Sequence, residues 1–213
     1  MSTNLNMSIN KVHGNLFIIT AASGAGKTSL VEALLASDAQ IKRSVSHTTR
    51  PPRLGEQDGV HYHFVNATQF LETLSAGGFL ESADVHGAKY GTAQSAVVTT
   101  LQGGFDVILE IDWQGAAQVR KLYPQSISIF ILPPSVETLE QRLNNRGQDS
   151  AEVIAKRVAA AHEEMRHVVE FDYVTINDTF DVALQDLMAI IRATRLKSQS
   201  QLQRHATLIQ KLT

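Results

Sequence analysis

Apolar positions along this chain form short unbroken runs rather than one continuous stripe. Leu16-Phe17-Ile18-Ile19, closed by Thr20, is rich in β-branched residues. A run of that kind predicts a strand buried on both faces of a parallel sheet. Val107 to Ile111, Ile127 to Leu132 and Tyr173 to Ile176 predict further buried strands. Between these runs the period lengthens. Leu30, Val31, Leu34 and Leu35 recur at helical spacing directly after a Gly-rich turn. From Val153 to Met165, the residues Ile154, Val158, Ala161 and Met165 share one helical face, with Lys156, Arg157, Glu163 and Glu164 elsewhere. Leu184, Leu187, Met188 and Ile191 repeat the pattern, and Arg192, Arg195 and Lys197 follow as a solvated face suited to a helix C-terminus. Beyond Ser198 the polar sequence reads as a fraying helix. Strands alternating with helices predict the α/β class, a parallel sheet flanked by helices.

Ser44 to Tyr90 breaks this rhythm. Pro51-Pro52, Gly55, Gly59, Gly77-Gly78 and Gly87 punctuate short, weakly periodic segments, so an inserted lobe is expected. Asn145 to Ser150, rich in Asn, Gly and Asp between two helical patterns, reads as a mobile turn.

Composition narrows the class. With 213 residues, 43% hydrophobic and 19% charged, the chain can build one substantial core. Its formal net charge of -2 argues against a general nucleic-acid surface. No apolar run approaches the ~20 residues of a membrane span. Met1 to Asn10 is polar and lacks an export signal, so a cytoplasmic location is expected. Without cysteine there are no disulfides or thiolate metal sites. His61 and His63 could share a strand face, but no matching ligands accompany them, and Trp113 reads as packing.

The chemistry begins where the first strand ends. Ala21-Ala22-Ser23-Gly24-Ala25-Gly26-Lys27-Thr28 lies between strand and helix, the setting a phosphate-binding loop requires. Small residues admit phosphates to the backbone N–H groups, and the helix N-terminus adds its positive end. Lys27 is expected to reach the β- and γ-phosphates of ATP, and the Thr28 hydroxyl to ligate Mg²⁺. Ala21 stands at the usual first glycine, a position that accepts Ala where φ is negative.

Ser44-Val45-Ser46-His47-Thr48-Thr49-Arg50-Pro51-Pro52-Arg53-Leu54-Gly55-Glu56 resembles the GMP-binding signature of guanylate kinases. The likeness continues through Gly59, Tyr62, Phe79-Leu80-Glu81, Tyr90-Gly91-Thr92, Ile111-Asp112-Trp113-Gln114-Gly115, Arg142, Arg146-Gly147, Arg157 and Ile176-Asn177-Asp178. It spans about Gly14 to Arg195 and is similar above all to bacterial members. The resemblance implies a P-loop kinase core over 1–45, with a GMP-binding lobe at 46–97, core at 98–135, a helical lid at 136–167, and core with a C-terminal helix at 168–213. It implies ATP and GMP as substrates, magnesium with the ATP, and a lobe and lid that close over them. A homo-oligomer is compatible with it.

By position, the resemblance places Arg50, Arg53 and Tyr62 on the GMP phosphate, and Ser46, Glu81 and Thr92 at the guanine. Glu56, Tyr90, Glu110 and Asp112 complete the GMP set, with Asp112 also a candidate magnesium contact. Arg142, Arg146 and Arg157 would embrace the transferring phosphate; with Lys27 and Arg53 they form the implied catalytic set, and Asn177 would lie near adenine. Departures are Glu110 and Thr179, where the family commonly has Asp. A GMP phosphate is already a nucleophile, so the work is positioning and charge stabilisation, for which bidentate arginines suit better than lysines. Two rivals fit less well. A scaffold domain typically lacks the phosphate loop, and a GTPase needs an Asn-Lys-x-Asp motif that is missing here.

Overall fold

A computed structural model of the chain describes residues 14–85, 87–144 and 151–213, with side chains of 151–156 excepted. In chain order the elements are β1 (Leu16–Ala21), α1 (Lys27–Ser37), β2 (Ile41–Arg43), β3 (His47–Thr48), β4 (His63–Phe64), α2 (Ala67–Ser75), β5 (Phe79–Val85), β6 (Ala88–Ala93) and α3 (Gln94–Gln102). There follow β7 (Asp106–Glu110), α4 (Trp113–Leu122), β8 (Ile127–Leu132), α5 (Val136–Asn144), α6 (Ala151–Arg166), β9 (Tyr173–Ile176), α7 (Phe180–Arg195), α8 (Ser198–Arg204) and α9 (Ala206–Leu212). The predicted α/β class with a mostly parallel, helix-flanked sheet holds. Its strand order is β2-β7-β1-β8-β9.

Contacts divide the chain into two compact units. One comprises the residues up to Phe17 with Gln40–Ser126, the other Ile18–Ala39 with Ile127–Thr213. In the first, β2 and β7 pair in parallel, Ile41 opposite Asp106, and Asn15 at the approach to β1 accepts the Val107 N–H at 2.9 Å. Val107, Ile108 and Leu109 are almost wholly buried, as a two-sided strand requires. The same unit carries a second, four-stranded sheet in the order β4-β3-β6-β5. Its β5 and β6 form an antiparallel hairpin, while β3 lies antiparallel to β6 and parallel to β4. The weak periodicity of Ser44 to Tyr90 is thereby explained: β3 and β4 are two residues each, too short to show alternation. Helix α2 starts at a reciprocal capping box, Asn66 Oδ1 accepting the Gln69 N–H at 2.9 Å and Gln69 Oε1 the Asn66 N–H at 3.0 Å.

In the second unit Ile18, Ile19, Ile129, Phe130 and Ile131 are fully buried. Strand β9 pairs in parallel with β8, Ile129 opposite Tyr173. The expectation of a buried strand at Tyr173 to Ile176 needs correction: only Thr175 is buried, because β9 is the sheet's outer strand. On α7 the inward face is Ala183, Leu187, Ile191 and Thr194, whereas Met188, expected inside, is exposed. Nor is Arg195 simply solvated. Its Nη1 meets Asp38 Oδ2 at 2.6 Å, tying the end of α7 to the end of α1. Past Ser198, α8 and α9 have no buried residue. No described helix is long and apolar enough to cross a membrane. The expected mobile turn at Asn145 to Ser150 lies outside the described residues.

Candidate active site

In the second unit, β1 ends at Ala21 in extended conformation, so the alanine at the usual glycine position costs nothing. Glycine is required twice further on. Gly24 and Gly26 have φ of 90° and 94°, left-handed values that a Cβ disfavours. Space demands it too, since a Cβ on Gly26 would stand 2.3 Å from Asn177 Nδ2. Gly26 is also the N-cap of α1 and has no side chain to satisfy the first turn, which leaves those N–H groups for an anion. Lys27 is the first helical residue and Thr28 the second, both at this positive end.

The loop is braced from behind. Asn177, just past β9 and buried, donates Nδ2 to the Ala25 carbonyl at 2.7 Å and its own N–H to the Leu132 carbonyl at 2.8 Å. Arg142 on α5 donates Nη2 to the Asn177 carbonyl at 3.0 Å. Ala22 packs in an apolar cluster with Leu139, Leu143 and Ala161, flanked by Val158 and Met165, so α5 and α6 rest on the loop. Two charged side chains from α6 arrive there: Arg157 Nη2 donates to Ser23 Oγ at 3.2 Å, and Glu164 Oε2 accepts the Ser23 N–H at 2.9 Å. The loop N–H thus already engages an anionic oxygen. Five residues singled out from sequence, Ser23, Ala25, Arg142, Arg157 and Asn177, meet here, and Glu164 joins them unforeseen. Arg146 lies outside the described residues.

Asn177→Ala is expected to remove the bond to a buried carbonyl, destabilising the chain by about 1–3 kcal/mol. It should raise the KM for ATP more than that for the acceptor. Urea unfolding and steady-state kinetics check both; an unchanged ATP KM would separate Asn177 from the loop.

In the first unit, two clusters form on the four-stranded sheet. The first is ionic. Arg50 Nη1 and Nη2 bind Glu56 Oε2 and Oε1 at 2.9 and 2.8 Å, a bidentate pair. Its Nε donates to the Tyr90 hydroxyl at 3.3 Å, and its guanidinium stands 5.4 Å from the Tyr62 ring centre. Glu56 pushes the Arg50 pKa up against the opposing effect of burial, and Arg50 in turn holds the Glu56 carboxyl below the usual range. Glu56 Oε2 also accepts the Arg53 N–H at 2.6 Å, while the Arg53 side chain is exposed. Burial, then Tyr90 and Glu110, raises the Tyr62 phenol. Glu110 itself pairs with Arg43 Nε at 2.8 Å across β7 and β2.

The second cluster is a buried carboxylate. Glu81 on β5 faces Thr92 on β6 in register, and Thr92 Oγ1 donates to Glu81 Oε1 at 2.5 Å. Ser46 Oγ lies 3.4 Å from Thr92 Oγ1. Glu81 is only 3% exposed, and burial raises its pKa to about 7; the Thr92 hydroxyl opposes that rise and the nearby Asp112 charge adds to it. Asp112 is the N-cap of α4, Oδ1 accepting the Gly115 N–H at 2.9 Å and Oδ2 the Gln114 Nε2 at 3.0 Å. Among the described residues no group of three or more His, Cys, Asp or Glu could hold a metal. His63 belongs to β4 but His61 does not, its Nδ1 accepting the Gln57 N–H at 3.1 Å instead.

A carboxyl with pKa near 7 makes acceptor use depend on pH. The free protein holds Glu81 protonated below about 7, whereas a base edge with two adjacent N–H donors needs the anion. The KM for a base bound there should therefore rise as pH falls below 7, approaching tenfold per unit. A nucleotide phosphate titrates near ~6, so a midpoint in kcat/KM close to 7 points to Glu81. The free fold shows the opposite trend. A raised carboxyl is bound more tightly to its proton when folded, so this contribution to stability is present below pH ~4.5 and lost as pH rises through about 7. Kinetics from pH 5.5 to 8.5 check the first trend, and urea midpoints over the same range the second.

A phosphate loop between a buried parallel strand and a helix, with arginines resting on it, and a second sheet carrying a buried carboxylate define the class of P-loop phosphotransferases. The guanylate kinase family model matches residues 13–194. The chain is 70% identical over 199 residues to the guanylate kinase of Methylobacillus flagellatus, covering 93% of this chain and 98% of that one. It is 56% identical over 195 residues to the guanylate kinase of Thiobacillus denitrificans, covering 92% and 93%. A crystal structure of guanylate kinase from Anaplasma phagocytophilum matches with a TM-score of 0.74 at 31% identity, over 88% of this chain and 89% of that one. The chain belongs to the guanylate kinase family.

Proposed function

We propose that this protein transfers the γ-phosphoryl group of ATP to GMP, and to dGMP, forming ADP and GDP in purine nucleotide metabolism in the cytoplasm. The observation that carries the reading is the Glu81 carboxylate, buried beside the Thr92 and Ser46 hydroxyls. It offers two acceptor oxygens to a base edge with two adjacent N–H donors, and guanine has that edge. The residues at 46–97 form the acceptor lobe, and 136–167 form the lid.

Little covalent work falls to the protein. The GMP phosphate supplies the nucleophile, so Arg50, Arg53 and Tyr62 serve to hold it, and Glu56 orients the Arg50 guanidinium through its bidentate pair. The loop N–H groups and Lys27 take the ATP phosphates, with Arg142 and Arg157 spreading charge from the group in transfer. Magnesium fits the oxygen chemistry of the Thr28 hydroxyl and the phosphates. The Thr28 hydroxyl would hold it, and when bound it would supply positive charge that offsets that of the ATP phosphates. The test is ADP release with GMP, dGMP, AMP, CMP, UMP and dTMP as acceptors. Turnover with the guanine nucleotides alone is expected; equal turnover with any pyrimidine would overturn the reading.

A further inference from the structure

Strand β5, which carries Glu81, is the outer strand of its sheet, with β6 on one side only. An outer strand leaves backbone groups without a ladder partner. At Ser82, next to Glu81, these groups are taken by a side chain from α4. Gln118 Oε1 accepts the Ser82 N–H at 3.1 Å, and Gln118 Nε2 donates to the Ser82 carbonyl at 2.8 Å. A carboxamide presents one donor and one acceptor side by side, as a peptide group does. Gln118 therefore adds a single rung to the sheet and fixes β5 against α4.

One turn earlier on the same helix is Gly115, in the first turn of α4. Glycine is a poor helix former, so local preference does not explain it, and its φ is not among the positive values that favour glycine. Space explains it. A Cβ there would lie 2.5 Å from Glu81 Oε2, 3.1 Å from Glu81 Cδ and 3.4 Å from Asp112 Oδ1. The carboxylate has little room to retreat, being buried and bound through its other oxygen to Thr92. Asp112 capping at the Gly115 N–H sets where this turn begins.

We propose that the inner face of α4 determines base specificity, Gly115 leaving the space that the Glu81 carboxylate occupies and Gln118 holding the strand that bears it. This rests on Glu81 as the guanine acceptor. Gly115 and Gln118 are positioning residues, acting through Glu81 rather than on the base. A displaced carboxylate can still meet one N–H but not two, so the loss is largest for the base that offers both.

The experiment compares GMP with IMP, which keeps N1–H but lacks the 2-amino group, in the full chain and in Gly115→Ala, Gln118→Met and Glu81→Gln. Gly115→Ala is expected to lower the thermal midpoint modestly, since the added Cβ presses on a buried carboxylate by more than alanine's helix preference offsets. Its kcat/KM for GMP should fall roughly tenfold or more, and its preference for GMP over IMP roughly fivefold, as expected when one buried hydrogen bond is misplaced. The KM for ATP should stay within about twofold. Gln118→Met should act in the same direction and less strongly. Glu81→Gln separates the two ideas. If it leaves the GMP-to-IMP ratio intact, Glu81 does not read guanine and both ideas fall together. If it collapses the ratio while Gly115→Ala and Gln118→Met do not, the α4 proposal alone is overturned. Equal loss for GMP and IMP in Gly115→Ala and Gln118→Met shows a merely structural role and also overturns it. Should Gly115→Ala fail to fold, Gln118→Met and Gln118→Glu decide on the same ratio.

Discussion

Lys27→Met is expected to lower turnover by roughly 10²-fold or more, the cost of removing one preorganised charge from a phosphoryl transfer site. The residue stands at the first position of α1, immediately after the left-handed Gly26. That places it at the helix's positive end, beside N–H groups without a side-chain cap, where its charge is expected to act on the transferring phosphate together with the arginines. Methionine keeps the length of the stem and removes the charge, so helix and loop should persist. The KM for GMP should change little, because the residues proposed to bind GMP, Arg50, Glu56, Tyr62, Tyr90, Glu81 and Thr92, belong to the other unit. Steady-state kinetics with a matched urea midpoint check the result. A folded variant with near-normal turnover would remove Lys27 from the chemistry.

The second large effect concerns Glu81. Guanine presents N1–H and the 2-amino group side by side, and one carboxylate can accept both. Adenine brings an unprotonated N1 against a negative oxygen, and its 6-amino group replaces the carbonyl that a Ser46 hydroxyl would donate to. A site built on buried polar groups leaves them unpaired with the wrong base, which supports discrimination of about 10⁴-fold. AMP should therefore be nearly inert. In Glu81→Gln an N–H₂ replaces one acceptor and faces another N–H, so kcat/KM for GMP should fall by about 10²-fold, with ATP binding little changed. The free variant should gain stability at pH 8, since burial already holds the Glu81 pKa up near 7 and the amide removes a charge buried at cost. Less activity with more stability distinguishes loss of a functional group from damage to the fold. AMP phosphorylated within tenfold of GMP would sink this account.

Much of the core was legible because two-sided burial leaves a plain mark. The run from Leu16 to Thr20 and that from Ile127 to Leu132 became β1 and β8, and the glycines of the phosphate loop sit where left-handed backbone demands them. Strand β9 misled for a physical reason. Tyr173, Val174 and Ile176 are as apolar as a central strand, but place in the sheet rather than composition decides burial, and β9 is outermost. Likewise Arg195 looked like any cation at a helix end until the fold brought Asp38 within 2.6 Å.

The residue types and spacings by themselves determined the α/β class, the phosphate loop and the family, since each depends on local order along the chain. Which atoms face which was decided by tertiary packing. Glu56 on Arg50 is a short-range pairing, but Asn177 under the loop, Glu164 on Ser23, and Gly115 against Glu81 join residues distant in sequence. A glutamine such as Gln118 within a helix carries no pattern that marks it. It acquires a role only because the sheet ends at β5 and leaves the Ser82 N–H and carbonyl facing α4. Hydrogen bonds that complete an open edge are selected by three-dimensional proximity, and sequence periodicity contains no record of it.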